Sequence, residues 1–250
     1  MNFTIITINL NNADGLEKTI LSVLSQNFEE LRHIIIDGNS KDSSRQIIEK
    51  YASSYSVVSV SELDKGIYDA MNKGIGEVIG DKGYTLFLNA GDTFAASNVL
   101  NNLRSYLIQN HVKPGTFVYG DHIYLRKGQR KHVGGKDIEM ILKGMPFSHQ
   151  AIFIPNSYLQ ENKYSLLYKI AGDYDYFLAA WKKKSIFKYA PLIIAVVEGG
   201  GVSDINRIKG IKERMYSLQN HGLLTGKLKG WYNIRIIRTY FVECIKKSIG

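Results

Sequence analysis

The chain of 250 residues has one cysteine, four prolines and no apolar stretch of the ~18 residues that a membrane-crossing helix requires. The lone Cys244 excludes an internal disulfide and a cysteine-built zinc site, points to a reducing compartment, and reads as a small buried hydrophobe. Leu192–Val197 is apolar throughout but far too short to span a bilayer. The start, MNFTIITINL, has neither the basic region nor the cleavage site of a signal peptide and reads as a first strand. No G-x-G-x-x-G follows that strand and no G-x-x-x-x-G-K-[ST] occurs anywhere, so phosphates would have to be held in another way.

Net positive charge is small over most of the chain. The net charge is +9, yet Arg207–Gly250 alone carries ten Lys and Arg against two Glu, which leaves residues 1–206 nearly neutral. That distribution excludes a chain-wide nucleic-acid footprint and leaves a locally basic tail. What is present, 44% hydrophobic residues and 23 glycines, fits a globular protein with one sizeable core.

Strands and helices alternate through the first half. Phe3–Asn9 is rich in β-branched residues; Asp14 with Glu17 then predicts a capping box, and Leu16, Ile20, Val23 and Leu24 share one helix face. His33–Asp37 predicts a second strand, a helix carrying Ile47, Ile48 and Tyr51 follows, and Val57–Ser61 and Tyr84–Asn89 predict strands three and four. This order is that of right-handed crossovers and a parallel sheet covered on both faces. Ligands of such sheets bind at the carboxyl ends of the strands. Asp37 ends the second strand, Glu62 and Asp64 follow the third, and Asp92 follows the fourth, so these acids are expected at one edge. A carboxylate such as Asp92 suits Mg²⁺ or Mn²⁺, which complete their shells with water and diphosphate oxygens. Its plainer role is the cap of a helical turn.

The stretches TIITINLNN, IIIDGNSKDSS, SELDKGIYDAMNKGIGEVIG, LFLNAGDT, PFSHQAIF and AGDYDYFLAAW, taken in order, resemble the bacterial glycosyltransferase family 2. The resemblance covers roughly residues 1–200 and is strongest to the branch that builds capsule, colanic-acid-like and O-antigen polysaccharides. It implies an α/β GT-A fold, with a Rossmann-like mixed central sheet and flanking helices over residues 1–205, followed by a basic amphipathic helical extension over 206–250. It also implies an inverting transferase that moves a sugar from a nucleotide diphosphate donor to an acceptor hydroxyl, with UDP favoured over GDP.

Transferred onto this chain, the resemblance assigns Asp37 to the nucleobase, with the backbone near Thr7 and Asn9 lining the same pocket. Asp64 falls by the base or ribose. Asn72 lies on the following helix on the same face as Asp69, and Lys73 is placed to reach a phosphate. Asp92 would hold Mn²⁺ or Mg²⁺ and Asn89 a bound water or the ribose. Many relatives carry a D-x-D pattern here, whereas this chain has Asn89, Ala90, Gly91 and Asp92, which implies an ion held largely by the donor. The family pattern puts the catalytic base at Asp173, with Asp175 as its rival and as a helix cap. Phe177, Leu178 and Trp181 are then expected to face inward. His149 and Asp175 are acceptor-side candidates, Gln150 is expected on the face opposite His149, and Tyr119, Asp121 and His122 are further cleft candidates. Glu198–Asp204 reads as a flap over the diphosphate or as a turn.

In the tail, Trp231, Ile234, Ile237, Phe241 and Ile245 recur at helical spacing among Lys and Arg. Such a helix suits an anionic membrane surface or packs on the domain with its basic face in water. The first alternative matches a saccharide acceptor carried on polyprenyl diphosphate, and a cytoplasmic protein held peripherally at the inner face of the membrane. Two other functions remain open from sequence: a nucleotidyltransferase, against which stands the lack of basic residues after strand one, and a catalytically silent sugar-nucleotide or lipid binder, against which stands Asp173.

Overall fold

The computed structural model describes residues 1–52, 57–80 and 82–249. Gly250, the last residue of the expected extension, lies outside them. The first half alternates as β1 (Phe3–Asn9), α1 (Ala13–Leu24), β2 (Leu31–Asp37), α2 (Ser44–Ala52), β3 (Val57–Ser61), α3 (Ile67–Gly76) and β4 (Tyr84–Phe87). Then come β5 (Thr93–Phe94), α4 (Val99–Gln109), β6 (Phe117–Arg126), β7 (Gln129–Val133), β8 (Ile152–Pro155) and α5 (Asn156–Glu161). The chain continues with α6 (Gly172–Lys182), β9 (Phe187–Glu198), α7 (Val202–Ile205), α8 (Arg207–Asn220) and α9 (Gly226–Ile249).

All seven residues of β1 are buried, as a central strand covered on both faces requires. The sheet order is β3-β2-β1-β4-β8-β6-β9-β5, with β7 hairpinned onto β6. β3, β2, β1 and β4 are mutually parallel, as the alternation of strands and helices predicts. The sheet as a whole is mixed, because β8 runs antiparallel to both β4 and β6. This reversal brings the start of β8 to the edge where β4 ends.

The larger core cluster joins Ile6, Ile34, Phe87, Ile152 and Phe177, and a second on the other face gathers Phe3, Leu86, Leu103, Phe153 and Ile194. Ile211, Leu218 and Tyr232 belong to the larger cluster, so the core continues across position 205 into α8 and the start of α9. Two local expectations fail, at the cap of α1 and at Cys244. Asn12 rather than Asp14 caps α1, accepting from the Gly15 N–H at 3.2 Å, while Glu17 turns to Lys50 and Tyr51 at 2.7 and 2.8 Å. Trp181 packs against the larger cluster as expected, though only half-buried, because its Nε1 donates to exposed Glu139. Cys244 is exposed, since it falls on the part of α9 beyond the packed segment.

Candidate active site

The strand ends place polar side chains along one edge. At the end of β1, Asn9 Nδ2 donates to Asp37 Oδ1 at 2.8 Å and to Ser44 Oγ at 2.9 Å. Asp37 also accepts from the Ser40 N–H, the Ser40 hydroxyl and the Ser61 hydroxyl at 2.9, 2.6 and 3.0 Å. Burial alone would raise its pKa, but the bonds from Ser40, Asn9 and Ser61 outweigh burial and hold the carboxyl below its ordinary value. Asp64 leans over Gly38, where a Cβ would meet its Oδ2 at 2.5 Å, and its Oδ1 accepts from the Gly66 N–H. Thr7 is fully buried one pair of residues back, with its hydroxyl bonded to His33, so only its backbone lies toward this pocket.

The turn after β4 is tight. Gly91 adopts φ +107°, a conformation that favours glycine, and its N–H is held by Gly15 and Thr19. Asp92 emerges buried, at 5% exposure. Its Oδ1 accepts from the Glu198 N–H at 2.8 Å and its Oδ2 from Gln150 Nε2 at 2.9 Å. Those partners come from the end of β9 and the turn before β8, so Asp92 is not a local helix cap. Burial pushes its pKa up to about 6, the Glu198 and Gln150 bonds oppose this, and the Glu198 carboxylate adds to the rise. Glu198 Oε2 lies 3.2 Å from where a Cβ on Gly91 would stand. Asn89 Oδ1 is closed off from solvent with no hydrogen-bond partner. Asp92 and the neighbouring Glu198 are oxygen ligands of the kind a hard divalent cation takes, and Asn89, three residues before Asp92, has an orphaned amide oxygen of the same kind. No group of three or more His, Cys, Asp or Glu is gathered among the described residues, so the remaining ligands would come from elsewhere.

Asp173 and Asp175 occupy the first turn of α6 but face different ways. Asp173 Oδ1 accepts from the Tyr174 N–H and stands 3.5 Å from the Tyr68 hydroxyl. His149, bonded to the Tyr164 hydroxyl at 2.9 Å, has its pKa lowered by burial, while nearby Asp173 pulls the other way. Asp175 turns away from the cleft and accepts from Ser217 and His221 of the α8 side at 2.6 and 3.1 Å. The acceptor-side expectation for Asp175 therefore fails: its carboxylate ties α6 to α8.

The loop before Asp173 is clamped from two sides. Glu213 of α8 accepts from the consecutive N–H groups of Lys169, Ile170 and Ala171, at 2.8 and 2.9 Å for the last two. Tyr68 donates to the Ile170 carbonyl at 2.8 Å, and its ring fills the space that a side chain at Gly172 would need.

Other expected residues sit elsewhere. Asn72 pairs both amide groups with the Tyr164 backbone, at 2.9 and 2.8 Å. Lys73 donates to the Leu63 carbonyl and to Glu62, which fixes the β3–α3 loop instead of extending to the edge. Gln150, expected to turn aside, lies in a 3₁₀ turn that directs it to Asp92. Asp121 is held by Tyr189, His132 and Gly135. The contact of Glu198 with Asp92 has no local signal, being formed across 106 residues.

Residues 4–184 match glycosyl transferase family 2, and the chain belongs to that family. The PGL/p-HBAD biosynthesis glycosyltransferase of Mycobacterium bovis is 27% identical over 207 residues, covering 81% of this chain and 79% of that protein. Among solved structures, the mannosyltransferase PcManGT of Pyrobaculum calidifontis, in complex with GDP-Man and Mn²⁺, superposes with a TM-score of 0.66 at 14% identity, covering 90% of this chain and 65% of that one. TarS 1-349 of S. aureus, in complex with UDP-GlcNAc, superposes with a TM-score of 0.60 at 14% identity, covering 88% of this chain and 67% of that one. These likenesses establish the GT-A fold.

Proposed function

We propose that this protein is a metal-dependent, inverting glycosyltransferase that uses a nucleoside diphosphate sugar, UDP favoured over GDP, and a lipid-linked saccharide acceptor in surface-polysaccharide assembly. The observation that carries the reading is one sheet edge bearing a pre-bonded carboxylate at Asp37 and a buried carboxylate at Asp92 with the exposed Glu198 beside it, with a further carboxylate, Asp173, at the start of α6 behind a clamped loop. Asp37 and Asp64 hold the nucleoside. Asp92 and Glu198 would hold Mn²⁺ or Mg²⁺, which offsets the charge of a departing diphosphate. The relatives solved with UDP-GlcNAc and with GDP-Man and Mn²⁺ support both parts.

Asp173 takes the acceptor proton. A carboxylate is too weak a base to ionise an alcohol in advance, so the proton moves as the new glycosidic bond forms. Attack from the side opposite the diphosphate inverts the anomeric centre. His149, kept neutral by burial, orients groups near Asp173 rather than adding charge.

No helix among the described residues is long and apolar enough to cross a membrane. Beyond its packed start, α9 exposes Ile234, Ile237, Phe241 and Ile245, each more than half accessible, alongside Arg238. An exposed apolar face with interspersed cations binds anionic lipid, each Lys or Arg adding ~1 kcal/mol. This supports a peripheral position on the inner face of the membrane.

The test is a thermal-shift panel of UDP and GDP with and without Mn²⁺. Ligand at about 100 times its dissociation constant adds ~2.7 kcal/mol, or several degrees for a chain of this size. A Mn²⁺-dependent shift with UDP is expected, and no shift with either nucleotide overturns the donor reading.

A further inference from the structure

Arginine cannot shed its charge, and its five N–H donors need acceptors when they leave water. Arg214 of α8 is half-buried, and its Nε is closed off from solvent with no hydrogen-bond partner. Its guanidinium lies over the Tyr174 ring, 5.9 Å from the centroid. Glu213, next in the chain, is committed to the loop before Asp173.

Across the α8–α9 pair stands a second guanidinium. Arg235 Nη1 and Arg214 Nη1 lie 3.3 and 3.5 Å from where a Cβ on buried Gly144 would stand, so the two cations converge on one point of bare backbone. Arg235 makes one hydrogen bond there, from Nη1 to the Lys143 carbonyl at 2.8 Å, and stacks over Trp231. Burial, and then the nearness of Arg214 and Arg207, makes its charge harder to hold. Arg207 itself has an acid at hand, Asp204. The Arg214–Arg235 pair has none among the described residues, and two partly desolvated like charges without a counter-ion raise the free energy of the fold. A multivalent anion bridging them would remove that penalty, and guanidinium forks match phosphate oxygens two at a time.

The surroundings narrow the anion. On one side Arg214 covers Tyr174, the residue after Asp173. On the other, Arg235 turns to Lys143 and Gly144, and the exposed apolar face of α9, with Ile234 and Ile237, lies round the same turn of the helix. A ligand spanning this ground carries a sugar toward Asp173, a phosphate group at the arginines and an apolar chain toward α9. We propose that Arg214 and Arg235 form the binding site for the diphosphate of a lipid-linked acceptor, an assignment that rests on the acceptor reading above and names the residues that recognise it.

The test uses the full chain in metal-free buffer, titrated by calorimetry with farnesyl diphosphate and, separately, with inorganic diphosphate. Wild type is expected to bind farnesyl diphosphate more tightly than inorganic diphosphate. Arg214→Gln and Arg235→Gln should each weaken farnesyl diphosphate by about tenfold or more, the loss of a charge-assisted bond. Their melting temperatures should stay level or rise, because like-charge repulsion is relieved. Wild-type affinity in both variants overturns the site. Equal affinity of wild type for the two diphosphates overturns the lipid-linked source and leaves a free-anion site. Titration of UDP with Mn²⁺ on the same samples scores the donor reading separately and should not differ between wild type and variants.

Discussion

Two carboxylates at neighbouring strand ends show opposite chemistry. Asp37, where β1 and β2 end, is enclosed by hydrogen-bond donors from Asn9, Ser40 and Ser61, and its pKa lies below the ordinary value. Asp92, in the turn between β4 and β5 and beside the end of β9, is also buried but has two donors and an acid for company, and its pKa rises to about 6. The strand topology delivers both to one edge; the side chains around each decide whether the protein itself satisfies the charge. At Asp37 it does so from within. At Asp92 the donors do not offset the burial, and the proposed cation would.

The largest effect that would break this contrast is at Asp92. Asp92→Asn is expected to lower transfer by a factor of ~10³ or more, the scale of losing a main electrostatic stabiliser. It should also abolish the Mn²⁺-dependent part of the nucleotide thermal shift while raising the metal-free melting temperature, because a strained buried charge is gone. A lowered metal-free melting temperature would contradict the electrostatic account. Next, Asp173→Asn should reduce transfer by ~10²–10⁴ with nucleotide affinity unchanged. Asp175→Asn should lower thermal stability with transfer largely kept, and the reverse pattern in single-turnover assays would exchange the two roles. Glu213→Gln, which weakens the clamp on residues 169–171, should cost ~1–3 kcal/mol of stability and act on kcat more than on KM. An equal loss in Asn72→Ala would show that any loosened loop has this effect.

The smallest effect is in pH. The folded pKa of Asp92 is raised, so this group destabilises the metal-free fold fully above about 6, and the penalty is relieved as pH falls toward the unfolded value of 3.8. Proton and cation compete for the same carboxylate, so Mn²⁺ affinity should decline by up to about tenfold per pH unit below the pKa. Asp37 behaves in the opposite sense: its depressed pKa contributes stability above the unfolded value of 3.8, lost as pH falls below it. Calorimetric titration of Mn²⁺ and of UDP between pH 5 and 8 separates the two. Equal decline of both would erase the distinction between the ends of the edge.

Much of the fold is legible in the sequence because local periodicity dictates it. The β-branched run at Phe3–Asn9, the acids at strand ends and the alternation with helices fix the parallel half. The segment after His149 reads as a strand, but nothing in it marks β8 as antiparallel or places it beside β4, so the meeting of Gln150 with Asp92 is invisible until the strand order is known. Glu198, Glu213 and the arginine pair are illegible for the same reason: each acts on a residue more than forty positions away in sequence. Lys73 misleads because a lysine on the right helix face finds a nearer acid, Glu62, before any ligand.

The anchor supplied by Glu213 has a consequence for chimaeras. The residues shared with the family end at 184, while the side chain that fixes the backbone ahead of Asp173 sits 29 positions later. Exchanging the last two helices with those of a relative would therefore also replace the support beneath the loop that carries the proposed base. Grafts that carry a carboxylate at position 213 should remain active, and grafts that lack one should fold yet turn over slowly.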